Sequence, residues 1–101
     1  MPKLYEYLGI YVYFYAGDHT PIYIHGYYQG GESKAEIYVE NDKVTDVRLV
    51  TVNDAPPLPK AKQRAFETLV RHEAENIVRV WNEFRRTGTA PKAQIVTRKI
   101  K

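Results

Sequence analysis

Cysteine is absent from this chain of 101 residues. Without thiols there is no disulfide staple, no zinc ribbon, no Cys-x-x-Cys redox motif and no cysteine nucleophile. Stability has to come from packing, and the composition fits a reducing compartment. Long apolar runs are missing too. Nothing approaches the ~20 residues that a membrane helix needs. The opening Met1-Pro2-Lys3-Leu4-Tyr5-Glu6 lacks the charged-then-apolar form of a signal peptide. These absences lead us to expect a cytoplasmic protein with no membrane contact. The chain also lacks a phosphate-cradling Gly-Lys-Ser/Thr loop, a dinucleotide glycine fingerprint and a His-Glu-x-x-His pair. No cofactor is expected on that basis. There is no internal repeat and no low-complexity stretch.

Acidic residues stop at Glu83. From Arg85 onward there are six basic residues (Arg85, Arg86, Lys92, Arg98, Lys99 and Lys101), while residues 1–84 carry nine basic and twelve acidic ones. A formal net charge of +3 therefore hides a basic C-terminal stretch on a mildly acidic body. Such asymmetry marks either a contact with nucleic acid or an acidic protein, or simply a solvated tail.

What is present suits one globular domain over 1–101. Hydrophobic residues make up 44% and charged residues 27%, which argues against disorder, and the length suits a single core. Ile10 to Ala16 alternates Ile10, Val12, Phe14 and Ala16 with Tyr11, Tyr13 and Tyr15, the period of a strand with one aliphatic face and one Tyr face. After a turn at 17–21, a second strand over 22–28 puts Ile22 and Ile24 on one side and Tyr23, His25 and Tyr27 on the other. A Gly-rich hairpin at Gln29-Gly30-Gly31-Glu32 leads to a third strand over 33–40. Asn41-Asp42-Lys43 leads to a fourth over 44–52. Short turns make this an antiparallel meander, a Tyr-rich sheet over 8–52. Three prolines in Asn53–Pro59 make a stiff linker.

A helix is expected over 60–86. Phe66, Leu69, Val70, Ala74, Ile77, Val78, Trp81 and Phe84 recur at spacings of three and four and form one apolar stripe. At 1.5 Å per residue it is about 40 Å long, against ~17–20 Å for a typical strand. Either it bends, or its end overhangs the sheet and finds another partner such as a second copy. In the basic segment 87–101, Ala93 to Ile100 alternates loosely and can form a fifth strand at an edge, where its charge discourages further pairing. The fold class is α+β: a four-stranded antiparallel meander, with a C-terminal edge strand as a fifth, on one long amphipathic helix.

Burying the aliphatic face under that helix leaves Tyr11, Tyr13, Tyr15, Tyr23, His25, Tyr27 and Tyr38 on the other. Tyrosine is also a good former of half-exposed strands. Seven polar-tipped aromatics on one face nevertheless suit a surface that is wet alone and buried in a complex. Tyr13, Tyr15, Tyr23, Tyr27 and Arg48, with His25, are the expected contact residues. Lys34 and Arg48 are the main cations nearby, few for a nucleic-acid platform. The other chemistry open to this region is acid–base. His25 would serve as base or acid and His19 as its complement, oriented by Asp18, while Tyr23 and Arg48 steady a phosphate. A metal needs three or four converging ligands, only two or three can be named here, and neighbouring strand residues point to opposite sides, so no metal is assigned. His72, beside the helix stripe, reads as a surface or boundary residue.

The run Val12-Tyr13-Phe14-Tyr15-Ala16-Gly17-Asp18-His19-Thr20-Pro21-Ile22-Tyr23-Ile24-His25 resembles the opening signature of the bacterial domain of unknown function 4160 family. Ala35-Glu36-Ile37 is similar to that family's next strand, and the helix ending in Trp81-Asn82 to its last helix. The likeness covers about residues 8 to 84. Asp18, His19, Pro21 and His25 match the pattern, whereas Tyr23 stands where members commonly have His. The resemblance implies a small bacterial protein without an established activity, one associated by analogy with toxin–antitoxin-like gene pairs. Taken together, the expectation is a protein- or nucleic-acid-binding regulatory module. It would act as a homo-oligomer or with a small protein partner, and the basic C-terminus is available for nucleic acid. The alternative is a metal-independent nuclease or other acid–base enzyme using His19 and His25.

Overall fold

Alternating side chains make strands of the first half of this chain, and three two-residue turns fold those strands onto one another. The computed structural model describes residues 2–14, 20–97 and 100. Strand β1 (Lys3–Tyr7) turns through Leu8-Gly9 into β2 (Ile10–Phe14). Strand β3 (Ile22–Tyr28) turns through Gln29-Gly30 into β4 (Gly31–Glu40), which turns through Asn41-Asp42 into β5 (Lys43–Val50). Both central residues of every turn have positive φ: 52° and 81°, 45° and 83°, 54° and 63°. That is the requirement of a type I′ turn, whose twist matches the strands it joins. After a Pro-rich linker comes helix α1 (Lys60–Thr87), then the short strand β6 (Gln94–Val96). The six strands lie in the order β5-β4-β3-β2-β1-β6. All neighbours are antiparallel except β6, which runs parallel beside β1.

The sheet is therefore larger than the expected meander, and it is mixed. Strands β2 to β5 are the expected four, and β6 takes an edge as anticipated. Strand β1 is the addition, so the sheet begins at Lys3 and not at residue 8. Two local features hide it. A bulge between Lys3 and Tyr5 breaks the pairing register, so Leu4 and Tyr5 are both buried in succession and the period of two is lost. The turn that follows offers Leu8 at positive φ, where Asn or Gly is the usual signal. Strand β5 also stops at Val50, short of the expected Val52, and the helix gains Thr87.

The aliphatic face does turn inward. Ile10, Val12, Phe14, Ile22, Ile24, Ala35, Ile37 and Val47 form one cluster with Phe66, Leu69, Val70, Ala74, Ile77, Val78 and Trp81 of α1. Gly26 makes the closest approach possible: a Cβ there would lie 2.7 Å from Cδ1 of Phe66. The helix has no side-chain N-cap. It ends at Gly88, in the left-handed region at φ 74°, whose N–H donates to the Phe84 carbonyl at 2.7 Å. Arg85 and Arg86 in its last turn complement the helix dipole.

The end of the helix meets the chain's own sheet. Strand β4 has ten residues, about 33 Å, longer than a typical strand, against about 42 Å for the 28 residues of α1. Ser33 near the start of β4 donates to Gln63 in the helix's first turns. At the far end the Phe84 ring sits 5.5 Å from that of Phe14. The stripe is thus covered through Phe84 by the chain's own sheet. The linker closes one end of the core. Leu58 is buried, the Glu32 N–H donates to the Pro56 carbonyl at 2.8 Å, and Gly31 lies where a Cβ would sit 2.9 Å from the Pro57 carbonyl oxygen.

A polar clasp ties β1 to the helix. The buried Tyr5 hydroxyl donates to Glu73 at 3.0 Å and accepts from the Asn76 amide at 2.8 Å. Burial, above all, pushes the Tyr5 phenol up to about 12. The Tyr7 hydroxyl accepts the Ile100 N–H at 2.8 Å, which tethers the C-terminal segment to β1.

Two outcomes follow from this packing. Gly26→Ala should destabilise the fold by about 1–3 kcal/mol through overpacking. Joining it to Phe66→Leu should cost clearly less than the two single changes added. Urea denaturation measures both, and strict additivity would show that the Phe66 ring is not the obstacle. For Tyr5, a folded-state pKa above the unfolded value means the native state holds the proton longer. Its contribution is then full below about pH 10 and is lost as pH rises through about 12. Denaturation at about pH 9 and about pH 11 should show a shallower alkaline loss in Tyr5→Phe than in the parent. Equal losses would assign the alkaline sensitivity elsewhere.

Candidate binding face

Residues paired across antiparallel strands point to the same side, so register decides which side chains meet on the face away from α1. Tyr11 of β2 is opposite Tyr27 of β3, and Tyr13 is opposite His25. Across the next ladder Tyr27 meets Glu32, His25 meets Lys34 and Tyr23 meets Glu36. Beyond that, Glu36 meets Arg48 and Tyr38 meets Asp46. The open face is thus a continuous field of tyrosines bordered by alternating charge.

The rings pack on one another. Tyr13 and Tyr27 are edge to face at 5.5 Å, and His25 lies nearly parallel to Tyr27 at 6.3 Å. Cations cover three of the rings: Lys3 over Tyr11 at 4.7 Å, Lys34 over Tyr23 at 5.1 Å and Arg48 over Tyr38 at 4.9 Å. Carboxylates sit among them. Glu6 pairs with Lys3, Asp46 takes Arg48 Nε at 2.7 Å, and Glu36 accepts the Tyr38 hydroxyl at 2.6 Å. The hydrogen bond from Arg48 holds the Asp46 carboxyl below its ordinary value. The bond to Glu36 raises the Tyr38 phenol above its ordinary value. Tyr11 is the most open of these rings at 46% exposure, and Tyr13, Tyr23, Tyr27 and Tyr38 are half-buried.

His25 differs from its neighbours. It is only 6% exposed although it belongs to the open face. Its Nδ1 is 2.7 Å from Glu32 Oε2, and its Nε2 is buried as well. The carboxylate fixes the orientation of the ring, as a partner does for a working imidazole, while its neighbours cover it.

The structure brings Tyr13, Tyr23, His25 and Tyr27 together as expected. It sets Arg48 further out, on β5 against Tyr38. Tyr15, Asp18 and His19 lie outside the described residues, and so do Arg98, Lys99 and Lys101. Arg85 stacks on Trp81 at 4.6 Å, Arg86 pairs with Glu83 and Lys92 is exposed. These three belong to the helix end and the segment after it, away from the Tyr field. His72 is exposed, a surface residue, with Nδ1 2.8 Å from Glu73. Among the described residues no three His, Asp or Glu side chains converge as metal ligands. Glu32 and Glu36 are the residues that sequence reasoning passed over. The signal for Glu32 lay in the turn: a two-residue Gln29-Gly30 loop sets Tyr28 opposite Gly31, and so Glu32 beside Tyr27 and diagonal to His25.

No curated protein and no solved structure matches this chain. One family model does, that of the domain of unknown function DUF4160, over residues 9–82. The match runs from the β1–β2 turn through nearly all of α1, taking in the whole Tyr field of β2 to β5 and leaving β1 and the basic C-terminal stretch outside. The chain belongs to the DUF4160 family.

Proposed function

We propose that this domain is a protein-binding regulatory module, and that the open sheet face is where the other chain docks. One observation carries the reading: five tyrosine rings and a held imidazole lie on one contiguous face, with charges of both signs among them. Protein interfaces take most of their energy from a few large aromatic and Arg anchors set in a mixed polar surround. Rings already packed on one another lose little side-chain freedom on binding, which lowers the ordering cost of association. Nucleic acid is the less favoured ligand for this face, since phosphate binding needs a surplus of cations. Lys3, Lys34 and Arg48 are here offset by Glu6, Glu32, Glu36 and Asp46. The basic C-terminal stretch supports the same reading by supplying charge for an acidic partner. By analogy with toxin–antitoxin-like pairs, the product of the adjacent gene is the first partner to try.

The test is calorimetry of the purified chain against that product, with a single-stranded RNA titrated in parallel. Tyr13→Ser, Tyr23→Ser and Tyr27→Ser combined should weaken protein binding at least about tenfold, as loss of aromatic anchors does, with circular dichroism unchanged. A variant that keeps every interaction of the parent rejects the reading. So does salt-sensitive RNA binding that the three changes abolish.

A second reading, metal-independent acid–base chemistry, draws on the Glu32 carboxylate that orients His25. It requires the covered ring to be reached by substrate. Its outcome is RNA cleavage that disappears in His25→Ala with the fold intact. Cleavage surviving that change eliminates it.

A further inference from the structure

The charges on β4 alternate along the open face. Glu32, Lys34 and Glu36 follow at two-residue steps, each beside an aromatic partner on β3: Tyr27, His25 and Tyr23 in turn. A pattern of this kind is complementary to its own reverse. We infer that the occupant of the open face is a second copy of this chain, related by a two-fold axis that runs across the strands between the His25–Lys34 row and the Tyr23–Glu36 row. This rests on the protein-docking reading above and names the partner.

The geometry is that of an isologous contact, in which residue i meets residue j and j meets i. Successive rows on one face lie about 7 Å apart, two strand residues. An axis midway between these two rows sets Lys34 of each copy over Glu36 of the other, twice by symmetry. It also sets Tyr23 of each copy over His25 of the other. The neighbouring choice, between Glu32 and Lys34, is poorer. Glu32 is turned to His25 at 2.7 Å and is already engaged there. Glu36 gives one oxygen to Tyr38, and a carboxylate has a second to offer. Face-to-face sheets pack about 10 Å apart, a gap that tyrosine side chains from both copies fill.

Size and charge agree. The domain's outline of 34 × 26 Å gives the sheet a footprint on the scale of the ~800 Å² per partner that standard interfaces bury. A face of one sign would repel its copy. Here Lys3, Lys34 and Arg48 nearly balance Glu6, Glu32, Glu36 and Asp46.

Light scattering on the full chain after size exclusion tests the inference. The parent should have twice the 11.7 kDa chain mass. Lys34→Glu and Glu36→Lys, each alone, should be monomers where the parent is dimeric, because each puts like charges together twice. Their equimolar mixture should recover the dimer, since the two faces are then of opposite sign. The double variant K34E/E36K should dimerise by itself. Recovery in the mixture also shows that both single variants are folded. A parent that dimerises together with both single variants overturns the proposed axis. A parent that stays monomeric overturns the second copy as partner, and the protein-docking reading then stands or falls separately on the tyrosine variants and the adjacent gene product. A mixture that stays monomeric while the parent is a dimer also counts against the Lys34–Glu36 contact.

Discussion

Phe66 lies against the backbone of Gly26, its ring where a side chain would otherwise begin. From that contact the helix goes on to bury the aliphatic side of β2 to β5. Burial of this kind is the main favourable term in a small domain without cysteine. It also sets the sign of everything on the other side. Once Ile24 and Phe14 are committed to the core, Tyr23, His25 and Tyr13 have only the opposite face to occupy. A one-residue slip in any ladder would exchange the two sets, and the three tight turns hold the β1–β2, β3–β4 and β4–β5 registers.

The polar contacts of the open face act differently from the core. An exposed ion pair contributes at most ~1 kcal/mol, and a cation over an exposed ring about 0.5–1 kcal/mol. The pairs Lys3–Glu6 and Arg48–Asp46, and the cations over Tyr11, Tyr23 and Tyr38, therefore add little to folding. What they do is order long side chains into fixed positions. His25 and Glu32 form the most buried of these arrangements, at 2.7 Å and nearly out of solvent. A face held in this way carries a defined pattern of charge, and defined patterns favour selective partners.

Much of the fold was legible because its signals are local. The period of two in Ile10–Phe14 and Ile22–Tyr28, the Asn41-Asp42 turn and the stripe from Phe66 to Phe84 all involve neighbours in sequence, and each appears where expected. Strand β1 was not legible. Its bulge puts Leu4 and Tyr5 into the core in succession, which erases alternation, and Leu8 adopts a turn conformation that its side chain does not advertise. Of the candidate site, Tyr13, Tyr23, His25 and Tyr27 could be read from alternation. Glu32 could not be read as the partner of His25 without the exact turn length, and a Gly-Gly step allowed more than one.

By itself, the sequence determined which residues are greasy, which are phenolic and at what spacing each recurs. Those periods set one helix on one sheet with a tyrosine face, because periodicity is a property of a single segment. Only the tertiary structure decided that β6 runs parallel beside β1, that Glu32 grips His25, and that Lys34 and Glu36 border the same tyrosine. Each of these depends on how far one strand slides past the next, and that is settled by turns, bulges and helix packing acting on segments far apart in the chain.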